Sequence, residues 1–206
     1  MENKMIITIA RGFGSGGKTM GRMLSERLEL PYYDRDILSK ASEESGISEA
    51  LFGEMDERLP RPRIRRTDAY TPDELIRPGE SGFTSDRNLF NYQAKVIRDA
   101  AAKGPCVIVG RCGDYVLRDM PGVLRVFVHA DENFCVEKVT ELYNVDRKEA
   151  LEMIHRIDKR RAEYYKYFTG RDWYNASNYD LCLNSSELGF EKCVEIIRAY
   201  MEIRMK

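Results

Sequence analysis

A glycine-rich segment near the amino terminus limits what this chain can fold into more than any other feature. Residues 12–19 read Gly-Phe-Gly-Ser-Gly-Gly-Lys-Thr and follow the apolar run at 5–10. The segment matches G-x-x-x-x-G-K-[ST], in which a buried strand leads through a loop into a helix. Glycines let such a loop turn its N–H groups around phosphate oxygens, and the helix dipole faces the same anion. The alternative to a phosphate-binding loop is an ordinary glycine-rich turn without a ligand. Such a turn does not require a lysine followed by a threonine at the start of the helix, so the phosphate-binding loop is favoured.

The residues of this segment have separate predicted roles at a nucleoside triphosphate. Lys18 is expected to reach the β- and γ-phosphates, and the Thr19 hydroxyl is expected to bind Mg²⁺. The remaining members are expected to hold phosphate oxygens: Gly12, Gly14, Ser15, Gly16 and Gly17.

Composition limits the partners and the compartment. Lys and Arg number 33 against 34 Asp and Glu, a net charge of -1 over 206 residues, so nucleic acid is not expected as the main partner. No apolar run has the length of a signal peptide or membrane span, so we expect a cytoplasmic protein without a membrane partner. No C-x-x-C pair occurs, and His129 and His155 are isolated, so neither a zinc site nor a disulfide framework is expected.

Short apolar runs alternate with helical patterns along the chain. Continuous rather than alternating hydrophobicity predicts strands of a parallel sheet covered on both faces, at 5–10, 31–33, 106–110, 123–130 and 180–184. Helical periodicity is found at 18–28, 88–103, 147–167 and 188–205. We therefore predict a single domain over 1–206 with an α/β fold, a doubly wound three-layer sheet whose ligands bind at the carboxyl ends of the strands.

Residues beyond the loop narrow the reaction class. The N-K-x-D segment of GTPases is absent, and the strand at 106–110 ends in Gly110 and Arg111 rather than in the aspartate of motor and transporter ATPases. An arginine at the end of a central strand can hold an acceptor's phosphate in a bidentate geometry. These features favour a kinase.

A second cationic element lies in the predicted helix 147–167, which carries Arg156, Arg160 and Arg161. Arg156 and Arg160 are four residues apart, hence on one helical face that can point at a polyphosphate. Phosphoryl transfer depends on alignment and charge neutralisation, which a cationic lid supplies. We favour a catalytic lid at 147–175 over a solvated helix with an Asp158–Arg161 pair.

One segment breaks the alternation of strands and helices. Residues 59–87 carry four prolines and four closely spaced arginines with little apolar periodicity. We expect a mobile loop there, within a helical insertion at 35–103 on the acceptor side. Its arginines could close over a phosphorylated substrate or touch nucleic acid, and a solvated excursion is the third alternative.

Taken together, these segments resemble the cytidylate kinase-like branch of the nucleoside monophosphate kinases. The similarity covers nearly the whole chain and is carried by 9–18, 31–36, 110–114, 158–161, Trp173 and 178–181. It implies a P-loop (Walker A) kinase that transfers the γ-phosphoryl of ATP, with Mg²⁺, to a small phosphorylated acceptor such as CMP or dCMP. Three departures stand out: Arg35-Asp36 replaces Thr-Gly, the acid of Gly-Arg-Asp is displaced to Asp114, and Cys135 stands where an arginine is expected.

The resemblance also implies individual roles. Arg111 would grip the acceptor phosphate, Asp34, Arg35 and Asp36 would orient the acceptor, and Asp114 would order a Mg²⁺-bound water. Asn184 and Ser185 lie where this fold contacts the adenine, although they could equally cap the final helix. Aromatic side chains at 32–33 and 164–174 could stack on a base or simply fill the core.

A protein of another class remains open. The substituted acceptor motifs suit an ATP-binding regulatory or sensing protein without monophosphate kinase activity, whereas Lys18, Thr19 and the arginine-bearing lid suit an enzyme. Turnover of ATP with a monophosphate acceptor distinguishes the enzyme from the regulatory protein. The sequence does not indicate the oligomeric state.

Overall fold

Five strands form one parallel sheet in the computed structural model, which describes residues 5–57 and 74–204. The strands of this described part are β1 (Ile6–Arg11), β2 (Tyr32–Tyr33), β3 (Cys106–Val109), β4 (Val123–His129) and β5 (Leu181–Asn184). Their order across the sheet is β2-β3-β1-β4-β5. The predicted doubly wound α/β fold is confirmed, because helices cover both faces of a wholly parallel sheet.

Eight helices connect or flank the strands in the described ranges: α1 (Gly17–Leu28), α2 (Asp36–Ser45), α3 (Glu49–Glu57), α4 (Asp86–Lys103), α5 (Gly113–Val116), α6 (Glu132–Tyr143), α7 (Arg147–Thr169) and α8 (Ser185–Arg204). Four of them match the predicted helical segments to within three residues. The last one, α8, starts three residues before the prediction and is interrupted at Gly189, whose φ of 71° and ψ of 161° are not helical.

The strands are apolar throughout because each face of the sheet packs on its own core. On β1, Ile7 and Ile9 face α1 and α8 and join a cluster with Met20 and Leu24. Ile6 faces the opposite side, where a second cluster contains residues of α4, α5 and α7. Alternate residues of one strand are therefore buried in different layers, which removes the polar alternation of a one-sided sheet.

The insertion between β2 and β3 consists of α2, α3 and α4. Residues 58–73, most of the predicted mobile loop, lie outside the described residues. The part that follows is tied to α4 by the buried Asn88, whose side chain accepts from the Ile76 N–H at 2.9 Å and donates to the Ile76 and Phe83 carbonyls at 3.1 and 2.7 Å. Within the described ranges, no helix has the length and apolar character to cross a membrane.

Three neighbouring strands end at one edge of the sheet and bring three loops together. The glycine-rich loop follows β1, Asp34 follows β2, and the turn at Gly110 follows β3. In parallel sheets, ligands bind at this edge.

Candidate active site

The glycine-rich loop has the conformation and the close contacts that its glycines permit. Gly14 and Gly16 have φ of 82° and 76°, in the left-handed region. A Cβ on Gly14 would come within 2.9 Å of the Cys135 backbone, and one on Gly16 would overlap the Phe190 ring. The loop is closed by the Gly12 N–H, which donates to the Val128 carbonyl at 3.0 Å.

Ser185 and Asn184 support the loop and the start of α8. The Ser185 hydroxyl is fully buried and lies 2.7 Å from the Ser15 carbonyl and 3.2 Å from the His129 carbonyl. Asn184 accepts from the N–H and the hydroxyl of Ser186 at 3.1 and 2.6 Å. The contacts observed are therefore those of helix capping and loop support, and an adenine contact for Asn184 and Ser185 stays a prediction.

Lys18 connects the loop to the end of β2. Its Nζ lies 2.7 Å from Oδ2 of Asp34, whose Oδ1 lies 3.8 Å from Nη2 of Arg11. Asp34 is buried, whereas the Lys18 side chain is 49% exposed. Thr19 is exposed beside Lys18 in the first turn of α1. One carboxylate thus lies between the cation expected to bind the donor and a buried arginine at the end of β1.

Arg111 lies in a turn of unusual backbone conformation. Gly110, Arg111 and Cys112 have consecutive φ values of 78°, 57° and 53° before α5 begins at Gly113. For a residue with a Cβ, each left-handed conformation costs roughly 1–2 kcal/mol and persists only where its surroundings enforce it. Burial lowers the pKa of Arg111, and the nearby guanidinium of Arg11 lowers it further. The turn holds a charged group in a place that water reaches poorly.

Asp114 is buried at the start of α5. Its Oδ2 accepts the Tyr165 hydroxyl at 2.6 Å, which joins α5 to α7. Burial raises the pKa of Asp114 above its ordinary value, against the opposing effect of that hydrogen bond. No group of three or more metal-ligating side chains occurs in the described part of the chain. The Mg²⁺-related role of Asp114 stays a prediction.

The helix α7 is fastened to the glycine-rich loop. Asp158 accepts the Phe13 N–H with both oxygens at 2.8 and 3.1 Å, and Arg161 donates to the Arg11 carbonyl at 3.0 Å. Asp158 and Arg161 also form the i,i+3 ion pair at 3.1 Å. From the sequence, an Asp158–Arg161 pair was the feature expected of a solvated helix. In the structure, this pair is part of the contact between α7 and the loop.

A cavity of about 1290 Å³ spans both sides of Lys18. Among the described residues, eight cationic side chains and four carboxylates line it, although the whole chain has a net charge of -1. Its six arginines are Arg11, Arg22, Arg35, Arg111, Arg160 and Arg161. This excess of positive charge is the arrangement expected around polyphosphate and phosphate ligands.

Most of the predicted site residues line this cavity, but some do not. Lys18, Asp34, Arg35, Arg111, Asp114 and the lid residues Arg160 and Arg161 line it, together with Thr19 and four of the predicted loop residues. Arg156 lines a separate depression of about 330 Å³ with Asp146 and Glu149. Asp36 is exposed at the start of α2 and does not line the main cavity.

The sequence analysis assigned no role to Arg11. It considered Asp158 only as a possible ion-pair partner of Arg161 on the same helix. A signal for Arg11 was present, since a charged residue at the last position of a buried strand is out of place unless a ligand or partner lies there. Asp158 offered no such signal, because its partner is a backbone N–H far away in sequence.

The fold and site together define a class of proteins. A parallel sheet in this order, with a glycine-rich phosphate loop after its central strand, is the P-loop architecture. The arginine-bearing helix and the cationic cavity beside that loop are what phosphoryl transfer requires, and these features define a P-loop kinase.

Comparison with known proteins identifies the family. A model of the cytidylate kinase-like family matches residues 6–187, and the chain belongs to that family. It is therefore a kinase of the class that phosphorylates nucleotides or other small molecules. The resemblance predicted from the sequence is confirmed.

Individual relatives are similar over nearly their whole length. Cytidylate kinases of Sulfurisphaera tokodaii and Methanopyrus kandleri are 22% and 25% identical, over 98% and 96% of this chain and 97% and 93% of theirs. An uncharacterized protein from Eubacterium ventriosum is 25% identical, with a TM-score of 0.72 over 97% of this chain and 99% of that one. A shikimate kinase from Bacteroides thetaiotaomicron, at 16% identity and a TM-score of 0.55 over 96% of this chain and 98% of that one, shares the fold.

Proposed function

We propose that this protein transfers the γ-phosphoryl of ATP to a nucleoside monophosphate, and specifically to a pyrimidine nucleotide such as CMP or dCMP. The observation that carries the proposal is the 2.7 Å contact between Lys18 and Asp34, inside one cavity lined by an excess of arginines. That contact joins the loop expected to bind the donor to the strand end expected to orient the acceptor.

The proposed reaction is an in-line displacement. An oxygen of the acceptor's phosphate forms a bond to Pγ of ATP, the bond between Pγ and the bridging oxygen breaks, and ADP leaves with that oxygen. Lys18 and the loop N–H groups hold the donor phosphates, and Arg111 holds the acceptor's phosphate. Arg160 and Arg161 neutralise charge on the transferring group from the side of α7. Asp34 and Arg35 orient the acceptor.

Residues suited to Mg²⁺ lie beside the loop. Mg²⁺ prefers oxygen ligands and keeps several waters, so one side-chain hydroxyl together with nucleotide phosphates can suffice. The exposed Thr19 hydroxyl fits that requirement, since it follows Lys18 at the start of α1. When bound, the ion would neutralise charge shared by the β- and γ-phosphates. Asp114 has one oxygen engaged by Tyr165, so a role there is confined to its second oxygen.

The choice of acceptor rests on the resemblance and on the cavity's charge. The relatives called cytidylate kinases point to a cytidine nucleotide, while Cys112 and Asp114 depart from the Gly-Arg-Asp pattern beside Arg111. This departure also gives the alternative its support: an ATP-binding regulatory or sensing protein without monophosphate kinase activity.

A coupled assay for ADP release separates these functions. ATP and Mg²⁺ are held constant while CMP, dCMP, UMP, AMP, GMP and shikimate are offered in turn. The nucleosides cytidine and uridine are offered as controls, and we expect turnover with at least one pyrimidine monophosphate and none with the corresponding nucleoside. ATP binding without turnover on any acceptor would favour the regulatory function, and turnover on shikimate alone would refute a nucleotide acceptor.

A further inference from the structure

Arg11, the last residue of β1, is a partly buried charge to which the proposed reaction assigns no role. Its side chain is 20% exposed and its nearest ion-pair partner, Asp34, is 3.8 Å away and already bound more closely by Lys18 at 2.7 Å. Burial lowers the pKa of Arg11 despite the nearby carboxylates of Asp34 and Asp158. A guanidinium so placed has donors left for another anion.

Two glycines make room for this side chain. A Cβ on Gly17 would come within 2.5 Å of the Arg11 Cβ, so the arginine lies against the start of α1. A Cβ on Gly110 would overlap Nη1 of Arg11, so the guanidinium reaches the turn that precedes Arg111. Arg11 therefore extends from the donor loop to the end of β3, where the acceptor side of the cavity begins.

Two partly buried guanidiniums consequently line the same cavity. The charge of Arg11 lowers the pKa of Arg111, and Asp34 is a carboxylate that raises the pKa of both. A dianionic phosphate has enough oxygens to accept hydrogen bonds from both guanidinium groups at once.

We propose that Arg11 and Arg111 form a two-arginine clamp for the phosphomonoester of the acceptor. The inference rests on the proposed function and deepens it, because it makes a dianionic phosphate the feature that the acceptor side selects. Arg11 contacts the acceptor phosphate directly from the donor side, and Arg111 contacts it from the end of β3. An uncharged nucleoside, which offers no phosphate to the clamp, binds weakly whatever its base.

Equilibrium binding to ADP-loaded protein tests the clamp, because ADP occupies the phosphate loop and leaves the acceptor side open. CMP, cytidine and inorganic phosphate are titrated by calorimetry, with ³¹P line broadening for the weakly bound phosphate. In Arg11→Gln we expect CMP to bind about 10- to 100-fold more weakly, the loss expected for a charge-assisted bidentate contact, while cytidine is unaffected. ADP affinity stays within about threefold of wild type.

Two further variants test whether a loss of CMP binding in Arg11→Gln is caused by the loss of the Arg11 guanidinium. Arg11→Lys keeps the charge without the fork and should fall between wild type and Arg11→Gln. Arg198→Gln, an exposed arginine on α8, serves as the matched control and should bind CMP as wild type does. Because burial disfavours the charged Arg11, Arg11→Gln should unfold at the same temperature as wild type or higher, whereas a purely structural ion pair would make it less stable.

The outcomes separate the clamp from the proposed function. Equal binding of CMP and inorganic phosphate by wild type and Arg11→Gln overturns the clamp, and wild-type turnover would then leave the kinase function standing. A fall in kcat with unchanged CMP affinity also overturns it, because Arg11 would then act only on the transferring group. If ADP-loaded wild type binds inorganic phosphate but no monophosphate, and Arg11→Gln loses the phosphate, the clamp holds for another phosphorylated acceptor. If wild type binds no anion beside ADP, both proposals fail.

Discussion

Both carboxylate oxygens of Asp158 accept the backbone N–H of Phe13, at 2.8 and 3.1 Å, so a residue of α7 holds the second residue of the phosphate loop. Arg161 adds a contact to the neighbouring carbonyl of Arg11. Burial raises the pKa of Asp158, while Arg161 and the Phe13 N–H act in the opposite direction. The ion pair and the hydrogen bonds of Asp158 thus act together in fastening α7 to the loop.

Removing that fastening should destabilise the protein and loosen α7. We expect Asp158→Ala to lower the free energy of unfolding by about 1–3 kcal/mol, because the Phe13 N–H loses its acceptor and Arg161 loses its ion-pair partner. Asp158→Asn, which keeps an oxygen acceptor, should lose less. Chemical denaturation and hydrogen exchange of α7 amides measure this, with Glu152→Ala on the same helix as control. Unchanged exchange in α7 of Asp158→Ala would contradict the prediction.

Asp114 should give stability an unusual pH dependence. Its pKa is raised by burial, so the folded protein keeps this proton where the unfolded chain has released it. The associated stability is present below the unfolded pKa and is lost as the pH rises through the folded one. Asp114→Asn, which cannot ionise, should therefore gain stability relative to wild type from about pH 4 upward. Denaturant midpoints across this range measure the difference, and a gain that shrinks with rising pH would refute it.

Lys18→Ala should abolish turnover while the protein stays folded. The side chain is half exposed, so the core loses little, but a charge-assisted contact made in the transition state is lost. We expect a fall in kcat of at least about a hundredfold, equivalent to roughly 3 kcal/mol. The ADP-release assay and thermal unfolding are run in parallel, with the exposed Lys192→Ala as control. Wild-type turnover by Lys18→Ala would remove the donor-site assignment.

The lid arginines should divide into two groups. Arg160→Gln and Arg161→Gln should lower kcat more than they weaken ATP binding, since both residues line the cavity and act when the site closes. Arg156→Gln should have a much smaller effect, because Arg156 lines a separate depression beside acidic residues. Steady-state kinetics and ATP titrations on the three variants provide the comparison. A loss at Arg156 equal to that at Arg160 would restore the single cationic face expected from their spacing.

Arg111 combines a role at the acceptor with a strained backbone. Arg111→Gln should raise KM for a monophosphate by about tenfold to a thousandfold and leave ATP binding unchanged, because charge and fork are lost. Arg111→Gly should show the same kinetic loss but unfold at a higher temperature than Arg111→Gln, since glycine adopts a φ of 57° without strain. If KM stays at the wild-type value in both variants, Arg111 is a structural ion-pair partner only.

Most of the fold could be predicted from hydrophobic periodicity, because this pattern depends only on residues that are close in sequence. The five strands and four of the helices follow from apolar runs and helical stripes. Four helices had no predicted bounds. Of these, α2 and α3 lie within the helical insertion predicted at 35–103, whereas α5, which spans one turn, and α6, which buries only Cys135, Val136 and Val139, were not predicted. Neither has a stripe long enough to predict a helix.

The site residues could be predicted from the sequence where a local motif determines the backbone conformation. They could not be predicted where contacts between distant parts of the chain determine which way a side chain points. Lys18 and Thr19 follow from the loop pattern, and Arg111 from its place after a strand. Whether an arginine of α7 faces the cavity depends on how that helix is rotated, which Asp158 fixes through a partner 145 residues away. The four-residue spacing of Arg156 and Arg160 carries no such information.

The overlap that any side chain at position 110 would make with Arg11 couples two distant positions of the chain. Only a residue without a Cβ at the end of β3 leaves the space that the long side chain at the end of β1 occupies. Single exchanges at Gly110 should be poorly tolerated chiefly because its φ of 78° lies in the left-handed region. The overlap with the end of the Arg11 side chain adds a steric part, which a shorter residue at position 11 would remove. In a library selected for folded protein, changes at position 110 are expected to be more frequent in chains that also carry a shorter residue at position 11.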